Sequence, residues 1–308
     1  MTDGTSGSKD GTPSKTFSTG DALLEGRVAG LDRTDSTLLL AYVLGRPRTW
    51  VIAHDDAPLS EPEAAVWRET VRRRLDGEPV AYILGSKDFY GLELDVTAAV
   101  LIPRPETELL VDLAIAHCRS QGNRSPSIVD LGTGSGAIAL ACKAALPDAH
   151  VYASDISEAA LAIARRNANR LGLEITFRLG SWWEPWVGER FDVALGNPPY
   201  VAAGDPHLEA LRHEPLTALV AEENGLAALR SIVQPAPDHL RDGGWIWVEH
   251  GFEQASAVAK FLRAATFSRI ETHTDLAGKP RCTGGVIEHE VDGLNRSRSQ
   301  PSGTPLNA

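Results

Sequence analysis

Apolar positions fall into three regimes along the 308-residue chain. Over residues 21–80 they recur at helical spacing. From Ser60 onward, Ala64, Trp67, Val71 and Leu75 share one helical face, and Gly77 and Pro79 in "RRRLDGEP" close that helix. The next stretch, "VAYILGSKDFYGLELDVT", is aromatic and β-branched with glycine breaks, which predicts a short hairpin. In "LIPRPETELLVDLAIAH" an extended Pro-x-Pro element leads into a helix opened by acidic residues. From Ser127 the pattern changes again. Short apolar runs ("SIVDLG", "VYASD", "ITFRLG", "FDVALGN", "WIWVEH") alternate with amphipathic stretches such as "EAALAIARRNANRLG". That alternation predicts a parallel, doubly wound α/β sheet. The last runs, "RIETHTD" and "GGVIEHE", follow one another without a long helix between them, so one antiparallel edge strand is expected at the C-terminal end.

These regimes divide the chain into a head over 1–20, a helical N-terminal domain over 21–80, a hairpin and linker over 81–122, a sheet domain over 123–290 and a tail over 291–308. The Ser/Gly/Thr-rich head and the tail "NRSRSQPSGTPLNA" are expected to be disordered.

Composition narrows the partners. The hydrophobic fraction is 43% and the formal net charge −11. Residues 21–99 carry 9 Lys and Arg against 14 Asp and Glu, and residues 121–290 carry 15 against 21, so neither half is basic. That counts against a direct nucleic-acid binder. Cys118, Cys142 and Cys282 are far apart and odd in number, which suggests neither a disulfide framework nor a metal site. Cys142, inside "AIALACKAAL", reads as a core thiol. "LLLAYVL" is far short of the ~20 apolar residues of a spanning helix. The expectation is a cytoplasmic protein with no membrane partner.

Chemistry enters at "VDLGTGSGAIALA". Gly132, Gly134 and Gly136, with Thr133 and Ser135 between them, follow the first strand of the sheet and open a helix. Glycines there let backbone approach a ligand, and the helix N-terminus offers free N–H groups. The dinucleotide fingerprint is G-x-G-x-x-G, whereas this turn is G-x-G-x-G after Asp130 and Leu131. A shorter turn preceded by an acid suits a ligand with an amino group and no phosphates, such as S-adenosylmethionine. Taken alone, the pattern also fits a plain β–α turn. Asp155 ends the second strand, placed to accept two ribose hydroxyls. Helix-dipole stabilisation alone would also favour an acid there. In "LGSWWEPW", one of Trp182 and Trp183 is expected to stack on an adenine and the other to join the core.

"ALGNPPYV" ends the fourth strand. Proline has a fixed φ and no N–H, and it forces its predecessor into extended geometry. Pro198 and Pro199 therefore make a stiff segment whose carbonyls no neighbouring strand needs. Asn197 adds a side-chain acceptor and donor, and Tyr200 a flat face. The set suits a planar –NH2 group: its hydrogens to the Asn197 oxygen and the Pro198 carbonyl, its plane on Tyr200. Whether a general base is also used stays open. The strand end was expected two strand positions from the glycine turn.

The chain resembles the HemK/PrmC family on "LLLAYVLGR", "RRRLDGEPVAYILGSKDFYGLELDV", "LIPRPETELLV", "VDLGTGSGAIALA", "GNPPYV", "EPLTALV" and "EHG", over roughly residues 21–290. The resemblance implies a Rossmann-like class I methyltransferase: a mostly parallel seven-stranded sheet, with a small helical N-terminal domain joined by a β-hairpin. It implies methyl transfer from S-adenosylmethionine to the glutamine amide of peptide chain release factors; a monomer is expected, and no metal, though the sequence leaves the oligomeric state open. By position it implies that Gly132, Thr133, Gly134, Ser135, Gly136, Asp155 and Trp182 contact the cofactor. Asn197 would contact both cofactor and glutamine, and Pro198, Pro199 and Tyr200 the glutamine. Arg104 and Glu106 would shape the wall nearby. One departure is Ser181, where relatives often carry an acid. The loop "HEPLTAL", Glu214 to Leu219, either covers a protein substrate or is plain surface. A DNA or RNA amino-methyltransferase would need a basic channel and a recognition domain; a binder that merely kept the fold would not need an intact Asn197-to-Tyr200 strand end.

Overall fold

The computed structural model describes residues 16–122 and 124–288. The disorder expected for residues 1–15 and for the 291–308 tail lies outside the described residues. The chain divides into two compact units, one of residues up to 87 with 96–98, the other of 88–95 with 99 onward.

The first unit is helical: α1 (Thr19–Ala29), α2 (Arg33–Leu44), α3 (Arg48–Ala53), α4 (Glu61–Leu75) and α5 (Val80–Leu84). Local chemistry sets the starts. In α1 the Ser18 hydroxyl accepts from the Asp21 N–H, and the Ser18 N–H donates to the Asp21 carboxylate; Ser60 and Glu63 repeat the device in α4. The helix thus begins two residues inside the segment expected to be a disordered head. Ala64, Trp67 and Val71 are buried, but Leu75 at the last turn is exposed. The first five residues of the predicted hairpin stretch are helical, because Pro79 is favoured at a helix start and Gly85 caps α5 in the left-handed region. The hairpin itself is β1 (Ser86–Phe89) and β2 (Leu92–Asp95).

The second unit is a three-layer sandwich. In chain order it contains α6 (Glu108–Ser120), β3 (Ser127–Leu131), α7 (Ala137–Ala145), β4 (His150–Asp155), α8 (Glu158–Leu171), β5 (Thr176–Leu179) and β6 (Phe191–Gly196). A loop region follows with β7 (Val201–Ala202), β8 (Val220–Ala221) and the short α9 (Glu222–Gly225). Then come α10 (Ala227–Val233), α11 (Ala236–His239), β9 (Leu240–Glu249), α12 (Ala255–Ala264), β10 (Ser268–Thr274) and β11 (Pro280–Val286). The seven-stranded sheet has the order β10-β11-β9-β6-β3-β4-β5. Both faces of its centre are covered, so β3, β6 and the second half of β9 read as nearly continuous buried runs. In "WIWVEH", Trp245 and Trp247 join the core under α6 and α7, while Ile246 and Val248 join the core under α10 and α12. Of the segment read as hairpin and linker, residues 88–95 and 99–122 are part of this unit: Phe89, Leu94, Leu110, Val111, Ala114 and Cys118 are buried in the first of those cores.

Two topological expectations change. The antiparallel strand is not an edge. β11 lies between β9 and β10 and is antiparallel to both, because the tight turn after Thr274 folds it back into the slot beside β9. And β6 is the direct neighbour of β3, with Leu131 opposite Gly196, so the two candidate motifs end on adjacent strands rather than two strands apart.

Candidate active site

A cavity of about 430 Å³ opens at the carboxyl ends of the parallel strands, where such sheets bind ligands. Its walls include Gly132 to Ser135, Asp155, Ser181, Trp182, Asn197, Pro199, Arg104, Thr107 and the loop residues Pro215, Thr217 and Ala218.

The glycine turn is held by its neighbours. The amides of Gly132 and Thr133 both donate to the Ser154 carbonyl of β4, at 2.9 Å each. The Gly134 amide donates to Asp155 Oδ2 at 2.8 Å, and the Ser157 amide donates to Oδ1 at 2.9 Å. Burial raises the Asp155 pKa, and these amides oppose the rise. Each carboxylate oxygen keeps a further lone pair for a ligand hydroxyl. Gly132 has φ +78°, and a Cβ there would sit 2.8 Å from the Trp182 ring. Only glycine lets that ring approach, which makes the turn and Trp182 one surface. Nothing lies within 4 Å of a Cβ built on Gly134, so that glycine faces open space. A buried, backbone-tethered carboxylate, an aromatic wall and glycines bare to the cavity fit the ribose, adenine and amino-acid parts of S-adenosylmethionine.

Asp130 takes a different part from the one expected of it. It is fully buried, is not in the cavity wall, and accepts the Thr133 hydroxyl at 2.6 Å. Burial pushes its pKa up to about 7 against that hydrogen bond. It shapes the turn rather than meeting an amino group. The tryptophan pair splits: Trp183 is buried, donates its indole N–H to the Ile232 carbonyl and stacks on His239, while Trp182 lines the cavity.

At the strand end, Asn197 and Pro199 face the cavity; Pro198 is buried and Tyr200 half-buried, outside the wall. Asn197 Nδ2 donates to Thr107 Oγ1 at 3.0 Å. Thr107 Oγ1 donates to Glu249 Oε2 at 2.7 Å, and the Tyr200 hydroxyl donates to Glu249 Oε1 at 3.1 Å. Glu249 is 1% exposed. Burial raises its pKa, opposed by those two hydrogen bonds and by the charge of Arg281. Burial and the Glu249 charge likewise hold the Tyr200 phenol above its ordinary range. Behind Tyr200, Gln254 Nε2 donates to the Tyr200 carbonyl at 3.0 Å and to the Asn224 carbonyl at 3.2 Å. Gly225 closes a left-handed run with Glu223 and Asn224, at φ +83°, and a Cβ there would overlap the Tyr200 carbonyl.

The loop carrying "HEPLTAL" is tied down. Glu214 is buried, accepts the Ile102 amide at 3.1 Å and pairs with Arg104. Its successors then line the cavity, so this is a wall and not plain surface. Glu106 is exposed and outside the wall; its neighbour Thr107 is the residue that faces in. Sequence reasoning also missed Asn167, fully buried on α8, which accepts the Asp95 amide and donates to the Ser135 carbonyl. A buried Asn on the apolar face of "EAALAIARRNANRLG" was the available signal. His250 has both ring nitrogens engaged, on the Gly251 carbonyl and the Thr283 hydroxyl, and burial lowers its pKa.

Comparison with known proteins sharpens this geometry. The family described as PrmC N-terminal domain matches residues 17–85, and that described as Methyltransferase small domain matches residues 107–272. A release factor glutamine methyltransferase of Bordetella pertussis is 46% identical over 261 residues, covering 84% of this chain and 96% of that protein. Another, of Burkholderia pseudomallei, is 46% identical over 270 residues, covering 85% and 94%. Among solved structures, the hMettl16 catalytic domain in complex with MAT2A 3'UTR hairpin 1 aligns with a TM-score of 0.53 at 15% identity, over 82% of this chain and 92% of that one. The last is a likeness of fold.

Proposed function

The chain belongs to the release factor glutamine methyltransferase family, and from that premise we propose a division of labour among its residues. The methyl goes to the side-chain amide nitrogen, N5, of the glutamine in the Gly-Gly-Gln motif of peptide chain release factors, in support of translation termination. S-adenosylmethionine is the methyl donor and supplies an electrophilic sulfonium methyl. The turn from Gly132 to Gly136, Asp155 and Trp182 hold it. Asn197 Oδ1 and the Pro198 carbonyl accept the two N–H bonds of the glutamine amide, and Pro199 and Tyr200 border its plane. That hold aims the nitrogen out of plane and favours loss of its amide resonance. With S-adenosylmethionine bound, that nitrogen would take the sulfonium methyl as the carbon–sulfur bond breaks with its electron pair going to sulfur, and would lose one proton. Orientation of this kind is worth up to ~7–11 kcal/mol of a barrier.

One observation carries the reading. The Asn197 carboxamide stands in the wall of the cavity that the glycine turn lines, with its nitrogen committed to Thr107. Its oxygen is then the end left for an incoming N–H. The acidic balance supports a protein partner over nucleic acid, and the helical unit is proposed to bind the release factor. The proposed form is a cytoplasmic monomer. No helix among the described residues is long and apolar enough to cross a membrane.

The test uses methyl-labelled S-adenosylmethionine with three acceptors: a release factor, the same factor with its Gly-Gly-Gln glutamine replaced by alanine, and duplex DNA. Label on the first alone is expected. Label on DNA, or label indifferent to the glutamine, overturns the reading.

A further inference from the structure

Asn197 is held from behind by a chain of hydrogen bonds, and with Glu249 ionised their polarity has one consistent assignment. Glu249 is buried and offers two acceptor oxygens; as a carboxylate it donates nothing. The Thr107 hydroxyl has one proton. At 2.7 Å from Glu249 Oε2 that proton goes to the carboxylate, the stronger acceptor. Thr107 Oγ1 then has only lone pairs left for Asn197, so the end of the carboxamide facing it is the –NH2. The other end, Oδ1, is thereby fixed as the free one. The second carboxylate oxygen accepts the Tyr200 hydroxyl, so one buried anion orients both polar residues of the strand end. Burying a carboxylate is costly unless it is hydrogen-bonded, and here both partners belong to this chain of bonds or to the strand end it serves. Thr107 is itself buried, at 4% exposure, at the edge of the cavity wall.

We infer that Thr107 and Glu249 are positioning residues for methyl transfer: they lock the Asn197 carboxamide with its oxygen toward the cavity, so that the site takes an –NH2 group and turns away a carboxylate. This rests on the functional reading above and adds to it a reason for choosing glutamine over glutamate. A flipped Asn197 would present N–H donors to the cavity and reverse the preference. Such a hydrogen-bond mismatch discriminates far more strongly than a difference in size.

The experiment compares Thr107→Val, Thr107→Ser, Glu249→Gln and the Thr107→Val/Glu249→Gln double variant with wild type. Steady-state rates are measured on a release factor, and S-adenosylmethionine binding by calorimetry. Thr107→Val keeps the shape and removes the hydroxyl. It is expected to lower kcat roughly 100-fold, as a small misplacement near the chemistry does, with KM and cofactor affinity within about threefold of wild type. Thr107→Ser, which restores the hydroxyl, is expected to recover kcat to within about fivefold. The double variant should be no slower than the worse single variant, since residues acting as a unit are not additive. Wild-type kcat in Thr107→Val, no rescue by serine, or multiplicative losses in the double variant each overturn the inference. If Thr107→Val does not fold, Glu249→Gln and the serine variant decide it: Glu249→Gln at wild-type kcat overturns it. A wild-type protein that leaves the release factor unlabelled overturns the functional reading and this inference together, whereas labelling at the wild-type rate in Thr107→Val and Glu249→Gln overturns the inference alone.

Discussion

The glycine turn and the Asn-Pro-Pro-Tyr strand end sit side by side on β3 and β6, yet they are supported in opposite ways. The turn is held by the Ser154 carbonyl and by side chains from within 32 residues, each on a different member of the turn. Thr133 leans on Asp130 three residues away, and Gly134 on Asp155 twenty-one residues away. The strand end is held by side chains from remote parts of the chain: Asn197 by Thr107 across 90 residues, Thr107 by Glu249 across 142, and Tyr200 by Glu249 across 49. A turn held by separate contacts changes little when one of them is replaced. A side-chain relay depends on every member. The cofactor half should therefore degrade gradually under mutation, and the acceptor half should fail abruptly.

The sharpest break is Asn197→Ala. Loss of an acceptor aimed at the reacting group should lower kcat by about 10³-fold, on the scale of losing an oxyanion-hole donor, while S-adenosylmethionine affinity falls less than tenfold. Single-turnover methylation beside calorimetric titration separates the two. A cofactor loss as large as the rate loss would place Asn197 with the turn and erase the contrast.

Next in size is Gly225→Ala. The added methyl meets the Tyr200 carbonyl and forces φ +83° on a residue that resists it. The expected cost is about 2–3 kcal/mol of stability. Turnover should also fall at temperatures where the protein is folded, with the cofactor bound normally. Thermal melts with and without S-adenosylmethionine check this; an unchanged melt shows that the strand end is more tolerant than its neighbours suggest.

Asp155→Ala probes the other half. It removes a hydrogen-bonded carboxylate from the ribose side, and an affinity loss of roughly 10- to 100-fold is expected, at about 1.5–3 kcal/mol for bonds to a charged group. The kcat at saturating cofactor should stay within a few-fold of wild type. A collapse of kcat at saturation would show that the turn also positions the reacting groups.

The smallest effect is one of pH. Asp130 titrates near pH 7 when folded and near 4 when unfolded, so between those values the folded state holds a proton that the unfolded state has lost. Its contribution favours folding below pH 4 and fades as pH rises to 7. Cys142 and Asp155 are the ionisable groups coupled to it, and the Asp155 charge adds to the upward shift. In Asp130→Asn the difference in Tm between pH 5 and pH 8 should shrink, and an undiminished difference would assign the slope to Glu249 or Asp155.

The same contrast explains what could be read in advance. Strand–helix alternation and the glycine turn were legible because their causes lie within a few residues. The mostly parallel seven-stranded fold followed, and so did the division of Trp182 and Trp183 into one wall residue and one core residue. The order of strands was less accessible. Adjacency of β3 and β6, and insertion of β11 inside the sheet, depend on which edges are free once the helices have packed. "IPRPETE" and "EHG" were singled out as segments, but their working residues were not. Glu106 drew notice as a charged residue and stands exposed; Thr107 beside it looked unremarkable and faces in. A hydroxyl and a buried carboxylate acquire meaning only from what they touch, and their partners were 90 and 142 residues away.

β11 has a consequence for how the protein is made. It supplies one ladder of β9 and the only ladder of β10, and it is the last strand among the described residues to leave the ribosome. Until Pro280–Val286 is synthesised, β9 carries an open row of backbone donors and acceptors, and β10 has nothing to pair with. In the register of that final pairing, Cys282 lies opposite Glu249. The carboxylate that organises the strand end therefore gains the residue opposite it only when β11 pairs with β9. A nascent chain released just short of Arg281 would already contain every residue of the cavity wall and yet leave that edge of β9 unpaired.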